Sequence, residues 1–256
     1  MDNWTDIGII LKIEKRGEKG NLLNILTNNH GRHMGWFNKF NKKQYFIQPG
    51  DLVNVSWSSR ISNQLGFFKI ELIETTVGKI FNEKIRLDII SSFCSLTSFI
   101  LPERENSPFF FQKSRTFLKE IPFIPSNNEV LKLYIFWELE LLNEVGTPLN
   151  FSECTVSGDK KNLKYVSPKS GNAVGGSFAG KFEKKLLKLP FFLGGVNVIN
   201  NNENDDIFYG FGLTLFFIKK FLNTFDFNNL TKLLLARNRL QNDLKKEVHN
   251  GRFKNY

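Results

Sequence analysis

Between Arg32 and Lys43 the chain reads Arg-His-Met-Gly-Trp-Phe-Asn-Lys-Phe-Asn-Lys-Lys, the densest interleaving of cations and aromatic rings in its N-terminal third. Cations spaced along a segment neutralise successive phosphates, and aromatic faces take stacked bases of any sequence, so this pattern points to nucleic acid. In a small barrel, however, alternate side chains fill the interior, and Trp36, Phe37 and Phe40 are assigned to that core ahead of any stacking role. A second cluster, Lys181, Lys184, Lys185 and Lys188, recurs at three- and four-residue steps that would set it along one helical face. The competing reading there is a solvated face opposite Phe182, Leu186 and Leu187. Arg237 and Arg239, two residues apart, point to different faces, and Arg237 is taken as the one that binds a polyanion.

Other chemistries find little support. Gly175-Gly176 and Gly194-Gly195 are isolated and do not lead into a phosphate loop ending in Gly-Lys-Ser/Thr. A Gly-x-Ser-x-Gly nucleophile elbow does not occur, and neither Cys94 nor Cys154 has a histidine nearby in sequence. Glu138 and Glu140 project differently on a helix and form no acid pair, so Glu138 is read as a buried, partnered carboxylate. Cys94, on an apolar helical face, is read as core. The expectation is a protein without a catalytic site, metal or cofactor.

The chain has 256 residues, 41% of them hydrophobic and 23% charged, as in a globular protein of two domains. Thirty-five basic against 25 acidic residues give a net charge of +10. The excess is uneven: +4 over 1–80, −2 over 81–150, +5 over 151–195, −3 over 196–218 and +6 over 219–256. Three basic blocks favour an anionic partner. The first residues are acidic where a signal peptide would be basic, and no apolar run is long enough to span a bilayer, so a cytoplasmic location without membrane attachment is expected.

Five short strands must position the first basic segment. Ile7 to Ile13, Asn21 to Thr27, Arg32 to Phe37, Leu52 to Trp57 and Gly66 to Glu74 are separated by turn sequences such as Asn28-Asn29-His30-Gly31 and Gln48-Pro49-Gly50-Asp51. So many strands in under eighty residues suggest a closed OB-type barrel, which removes exposed edges. From about residue 80 the period becomes helical. Helices are expected over 85–100, 109–121, 129–145 (with Gly146 just past its end), 178–189, 208–225 and 230–248, the last capped by Asn228 or Asn229. Residues 151–176 read as loop and 200–206 as a polar connector. The fold class is α+β: an OB-fold nucleic-acid-binding domain over 1–80, then an all-helical domain over 81–256.

Ordered blocks along the chain resemble one family. Trp4-Thr5-Asp6-x-Gly8-Ile9-Ile10-Leu11, Gly17-Glu18, Thr27-x-x-His30-Gly31 and Gln48-Pro49-Gly50 are followed by Pro102-Glu103-Arg104 and Trp137-Glu138-Leu139-x-Leu141-Leu142. Cys154, Tyr165-Val166-Ser167-Pro168-Lys169-Ser170-Gly171, Leu186-Leu187-x-Leu189-Pro190 and Ala236-Arg237-x-Arg239-Leu240 complete the set. Together they resemble the bacterial RecO family of DNA-repair proteins. The resemblance implies an OB fold joined to a helical domain and a recombination mediator of the RecF pathway. Such proteins bind single- and double-stranded DNA, anneal complementary strands, bind the acidic C-terminal tail of single-strand-binding protein, and join RecR to load RecA.

It further implies that the segment after the hairpin glycine is a basic strand and loop contributing to DNA binding, although a glycine often found in that loop is replaced near Asn38 and Lys39. The expected phosphate contacts are therefore Arg32, Lys39, Lys42, Lys43, Arg60 and Lys69, with Lys181, Lys184, Lys185 and Arg237 from the second half. Some relatives hold zinc on four cysteines around 151–176; here Cys154 stands without a second cysteine, so a degenerate, zinc-free segment is expected. Lys132 is the single cation of the apolar helix 129–145, and no residue is assigned to the tail pocket. Two alternatives remain open: an OB-fold RNA-binding or ribosome-associated module, and a protein-only adaptor whose lysines are solubilising.

Overall fold

The computed structural model describes residues 2–16, 20–38, 47–61, 64–196, 202–225 and 230–253. Five strands come first: β1 (Asp2–Arg16), β2 (Gly20–Thr27), β3 (Gly31–Asn38), β4 (Leu52–Ser59) and β5 (Gly66–Glu74). They close into a barrel in the order β1-β2-β3-β5-β4, the OB-like architecture expected from the sequence. The long β1 pairs antiparallel with both β2 and β4. Alternation puts Val53, Val55 and Trp57 of β4 inside and Asn54, Ser56 and Ser58 outside. The interior is filled by Ile10, Leu23, Ile25, Phe37, Val53, Val55, Trp57 and Phe68. Closure itself is narrow: β3 meets β5 in parallel at Gly35↔Gly66 and Trp36↔Phe67.

Three long helices follow: α1 (Lys84–Ile100), α2 (Pro108–Glu120) and α3 (Asn127–Glu144). Helix α1 stops at Leu101, which is extended as a residue before proline should be. Pro108 opens α2, where its missing N–H costs nothing. Beyond α3, Gly146 takes φ +74, and the N–H groups of Gly146 and Thr147 return to the carbonyls of Asn143 and Leu142, closing the helix end.

The chain packs as two compact units, residues 1–124 with 231–237 and residues 125–230 with 238–256. In the first, α1 lies on the barrel. The Cys94 thiol donates to the Ile10 carbonyl at 3.7 Å, and Asn24 donates to the Ser98 hydroxyl at 2.8 Å. Cys94 is core, and burial pushes its thiol pKa far up.

The second unit departs from the expected pattern. Residues 151–176 are not all loop: β6 (Leu163–Val166) and β7 (Ala173–Gly175) pair antiparallel, and β8 (Leu187–Lys188) adds to β6. Strands of two to four residues are too short to show a period in sequence. The basic helix expected over 178–189 does not form. A single turn, α4 (Gly176–Ala179), ends at Gly180 with φ +44, a 3-10 segment covers Gly180–Lys185, and the chain then enters β8.

The polar connector is largely helix as well, because α5 (Glu203–Leu222) starts where Asn202 accepts the Asn204 N–H. Glu203, Asp205 and Asp206 occupy its first turn, where negative charge suits the helix dipole. Helix α5 packs on α3, and the buried Glu138 carboxylate accepts the Thr214 hydroxyl at 2.5 Å, the partnered role expected of it. The last expected helix is divided into α6 (Leu230–Leu233) and α7 (Leu235–Phe253); Asn228 and Asn229 lie outside the described residues. Among the described residues no helix is long and apolar enough to cross a membrane.

Candidate nucleic-acid interface

On the barrel, the expected phosphate contacts separate into three kinds. Lys69 of β5 and Arg60, just past β4, are exposed and form no ion pair with described residues. Arg32 is half-buried. Its Nε donates to the Leu101 carbonyl at 2.9 Å, and burial lowers its pKa despite the opposing field of Glu103. One of its five N–H donors therefore serves the fold. Lys39, Lys42, Lys43 and Phe40 lie outside the described residues. Phe37 is a core residue as expected, whereas Trp36 is half-buried on the opposite side of β3.

The hairpin between β2 and β3 is held by Asp6, which accepts the Asn29 N–H at 2.7 Å and lies 3.0 Å from His30 Nδ1. Trp4 stacks on His30 with centroids 4.2 Å apart and on Trp57 at 5.5 Å. His33 sits edge-on to both tryptophans, 6% exposed, and its Nδ1 has no hydrogen-bond partner among the described residues. Burial, then the Arg104 cation and His30, depress its pKa to about 4.

The folded state thus holds His33 neutral, while the unfolded chain takes up its proton below about pH 6.5. Stability should fall as pH drops from about 6.5 towards 4, by about 3 kcal/mol in total. Urea unfolding across that range checks this. His33→Phe should flatten the pH dependence, and an unchanged profile in that variant would assign it to other groups.

In the second unit Lys181, Lys184 and Lys185 are exposed on the 3-10 segment, with the Lys181 ammonium 5.4 Å from the Phe182 ring centre. At three residues per turn Lys181 and Lys184 align, and Lys185 is rotated away from them. Lys188 is turned to Tyr209, donating to its hydroxyl at 2.9 Å.

Residues 1–76 match the family model described as Recombination protein O N terminal, and residues 85–207 match Recombination protein O C terminal. The chain belongs to the RecO family. The DNA repair protein RecO of Wolbachia sp. subsp. Drosophila simulans (strain wRi) is 36% identical over 229 residues, covering 89% of this chain and 93% of that one. Those of Ehrlichia chaffeensis (strain ATCC CRL-10679 / Arkansas) and Rhodospirillum centenum (strain ATCC 51521 / SW) are 34% and 33% identical over 224 residues. Each of the two alignments covers 86% of this chain, and they cover 90% and 86% of the relatives respectively.

Within this RecO framework one expectation changes. Arg237 is fully buried, at 0% exposure, and engages partners inside the fold, so it is not placed to meet a phosphate. A two-residue spacing gives opposite faces but does not say which one is solvent. Cys154 is the single cysteine of the 151–176 segment. Its buried sulfur accepts the Gly175 N–H at 3.2 Å. Burial opposes ionisation there, but hydrogen bonds from the Ser157 hydroxyl and from the N–H groups of Gly175, Ser157 and Val156 outweigh it and draw the pKa down to about 7.

Arg104 was not picked out by spacing or charge. It has φ +65, its N–H donates to the Arg32 carbonyl at 2.8 Å, and its guanidinium lies 5.9 Å from the Trp57 ring centre. The only sign of it in the sequence is the Pro102-Glu103-Arg104 block.

Proposed function

We propose that this chain is a non-enzymatic recombination mediator of the RecF pathway. It binds single- and double-stranded DNA, screens the phosphate repulsion between two strands, and so speeds their annealing. It is recruited through the acidic tail of single-strand-binding protein and acts with RecR to load RecA, in the cytoplasm. The observation that carries this reading is the exposed pair Arg60 and Lys69 on a closed OB-type barrel, in a chain of the RecO family. The basic segment 39–43 and the exposed Lys181, Lys184 and Lys185 would add contacts along the backbone.

Fluorescence anisotropy with matched DNA and RNA strands, with duplex DNA, and with the tail peptide tests it. Binding to both DNA forms, with RNA no tighter than DNA, is expected. A clear preference for RNA would signal a site that reads the 2′-hydroxyl. Peptide binding without affinity for DNA would make the protein an adaptor.

A further inference from the structure

The outer face of the barrel carries two aromatic rings that phosphate contacts do not use. Trp36 of β3 and Phe67 of β5 are register partners across the parallel seam. Their neighbours Gly35, Phe37, Gly66 and Phe68 are all buried, so alternation turns Trp36 and Phe67 outward, side by side on one face. Phe67 is 54% exposed. On the neighbouring β4, Ser58 pairs with Phe67 and Ser56 with Lys69; both are small and exposed, and leave the ring uncovered. Lys69 projects from the same face of β5, about 7 Å further along. Arg60 follows the end of β4, and the exposed Glu71 marks where the cationic end stops.

We propose that Trp36 and Phe67 form a base-stacking platform for single-stranded DNA, whose phosphates run past Lys69 and Arg60. This rests on the DNA-binding reading and adds what that reading lacks, a means of telling one strand from two. An aromatic face beside cations matches a nucleobase attached to a phosphate, and stacking is tolerant of sequence. Bases in a duplex are already stacked on one another, so duplex DNA gains from the cations alone. The seam places the rings one strand apart, within reach of neighbouring bases of an extended strand.

The test compares the full chain with its Phe67→Ala, Phe67→Leu and Trp36→Phe variants. Three probes of equal length are used: oligo(dT), an oligonucleotide of abasic sites, and duplex DNA. Wild type should prefer oligo(dT) to the abasic strand by about tenfold or more. Both Phe67 variants should lose about that factor on oligo(dT) and keep their affinity for the other probes. The leucine variant retains apolar area without a π-face, and Phe67 is exposed enough for both variants to fold, which thermal melts verify. Oligo(dT) should quench tryptophan fluorescence in wild type and much less in Trp36→Phe. Equal wild-type affinity for oligo(dT) and abasic DNA, or full oligo(dT) affinity in both Phe67 variants, would overturn the platform while leaving DNA binding intact. No affinity for any probe would remove both readings.

Discussion

Affinity for a single-stranded oligonucleotide should fall by about 10³-fold as monovalent salt rises from roughly 50 to 200 mM. Each cation seated on a phosphate of a single strand displaces ~0.7 of a condensed counterion, so the log–log slope counts the contacts. Arg60, Lys69, Lys181, Lys184 and Lys185 are exposed, and the sequence adds a further basic run at Lys39, Lys42 and Lys43. Replacing those last three together with alanine should reduce the slope by about two and weaken binding on the order of ten- to a hundredfold at ~0.1 M salt, for every sequence alike. A flat salt response in wild type would remove the electrostatic basis of the proposed function. A folded triple variant with the wild-type slope would take residues 39–43 out of the contact surface.

Gly31→Ala should cost about 3–5 kcal/mol, a severe loss for one methyl group. Gly31 has φ +68, and a Cβ there would lie 2.0 Å from the Glu105 carbonyl oxygen and 2.5 Å from its carbon. The obstacle is main chain and cannot swing aside. It is also pinned, since the Arg104 N–H donates to the Arg32 carbonyl at 2.8 Å and Arg32 Nε to the Leu101 carbonyl at 2.9 Å. Gly158→Ala is the control, with φ +76 but nothing within 4 Å of the added carbon, and should lose only about 1 kcal/mol. Chemical denaturation of both variants measures the difference. Equal losses would mean that the left-handed backbone, not the blocked methyl, sets the cost.

The barrel was legible because its strands are long enough to alternate and are punctuated by Asn-Asn-His-Gly and Gln-Pro-Gly-Asp turns. Helices α1, α2 and α3 were legible from apolar spacing bounded by Pro102, Pro122 and Gly146. The region from Leu163 to Lys188 was not, since its strands are held by tertiary pairing and the lysine spacing there imitated a helical face. Asn202 was hidden within a run of asparagines that reads as linker yet caps α5. Charge and family resemblance carry no measure of burial, so they could not separate the exposed Lys69 from the buried Arg237 or the half-buried Arg32. The outward turn of Trp36 was likewise lost, because adjacent aromatics in a strand face opposite ways and only pairing decides which one is inside.

Among the described residues, strand β3 is covered along one side by β2 but on the other only in pieces, by β5 at residues 35 and 36 and by the Arg32↔Glu103 bridge. During synthesis, β3 leaves the ribosome well before either of those partners. The nascent chain therefore carries an open, partly aromatic edge until residue 103 has emerged, the kind of edge on which neighbouring chains pair and aggregate. A fragment cut at the end of the N-terminal family match, residue 76, would lack the Arg32↔Glu103 bridge that covers part of that edge. The piece of chain that finishes protecting the β-module is thus encoded in the loop after the first helix.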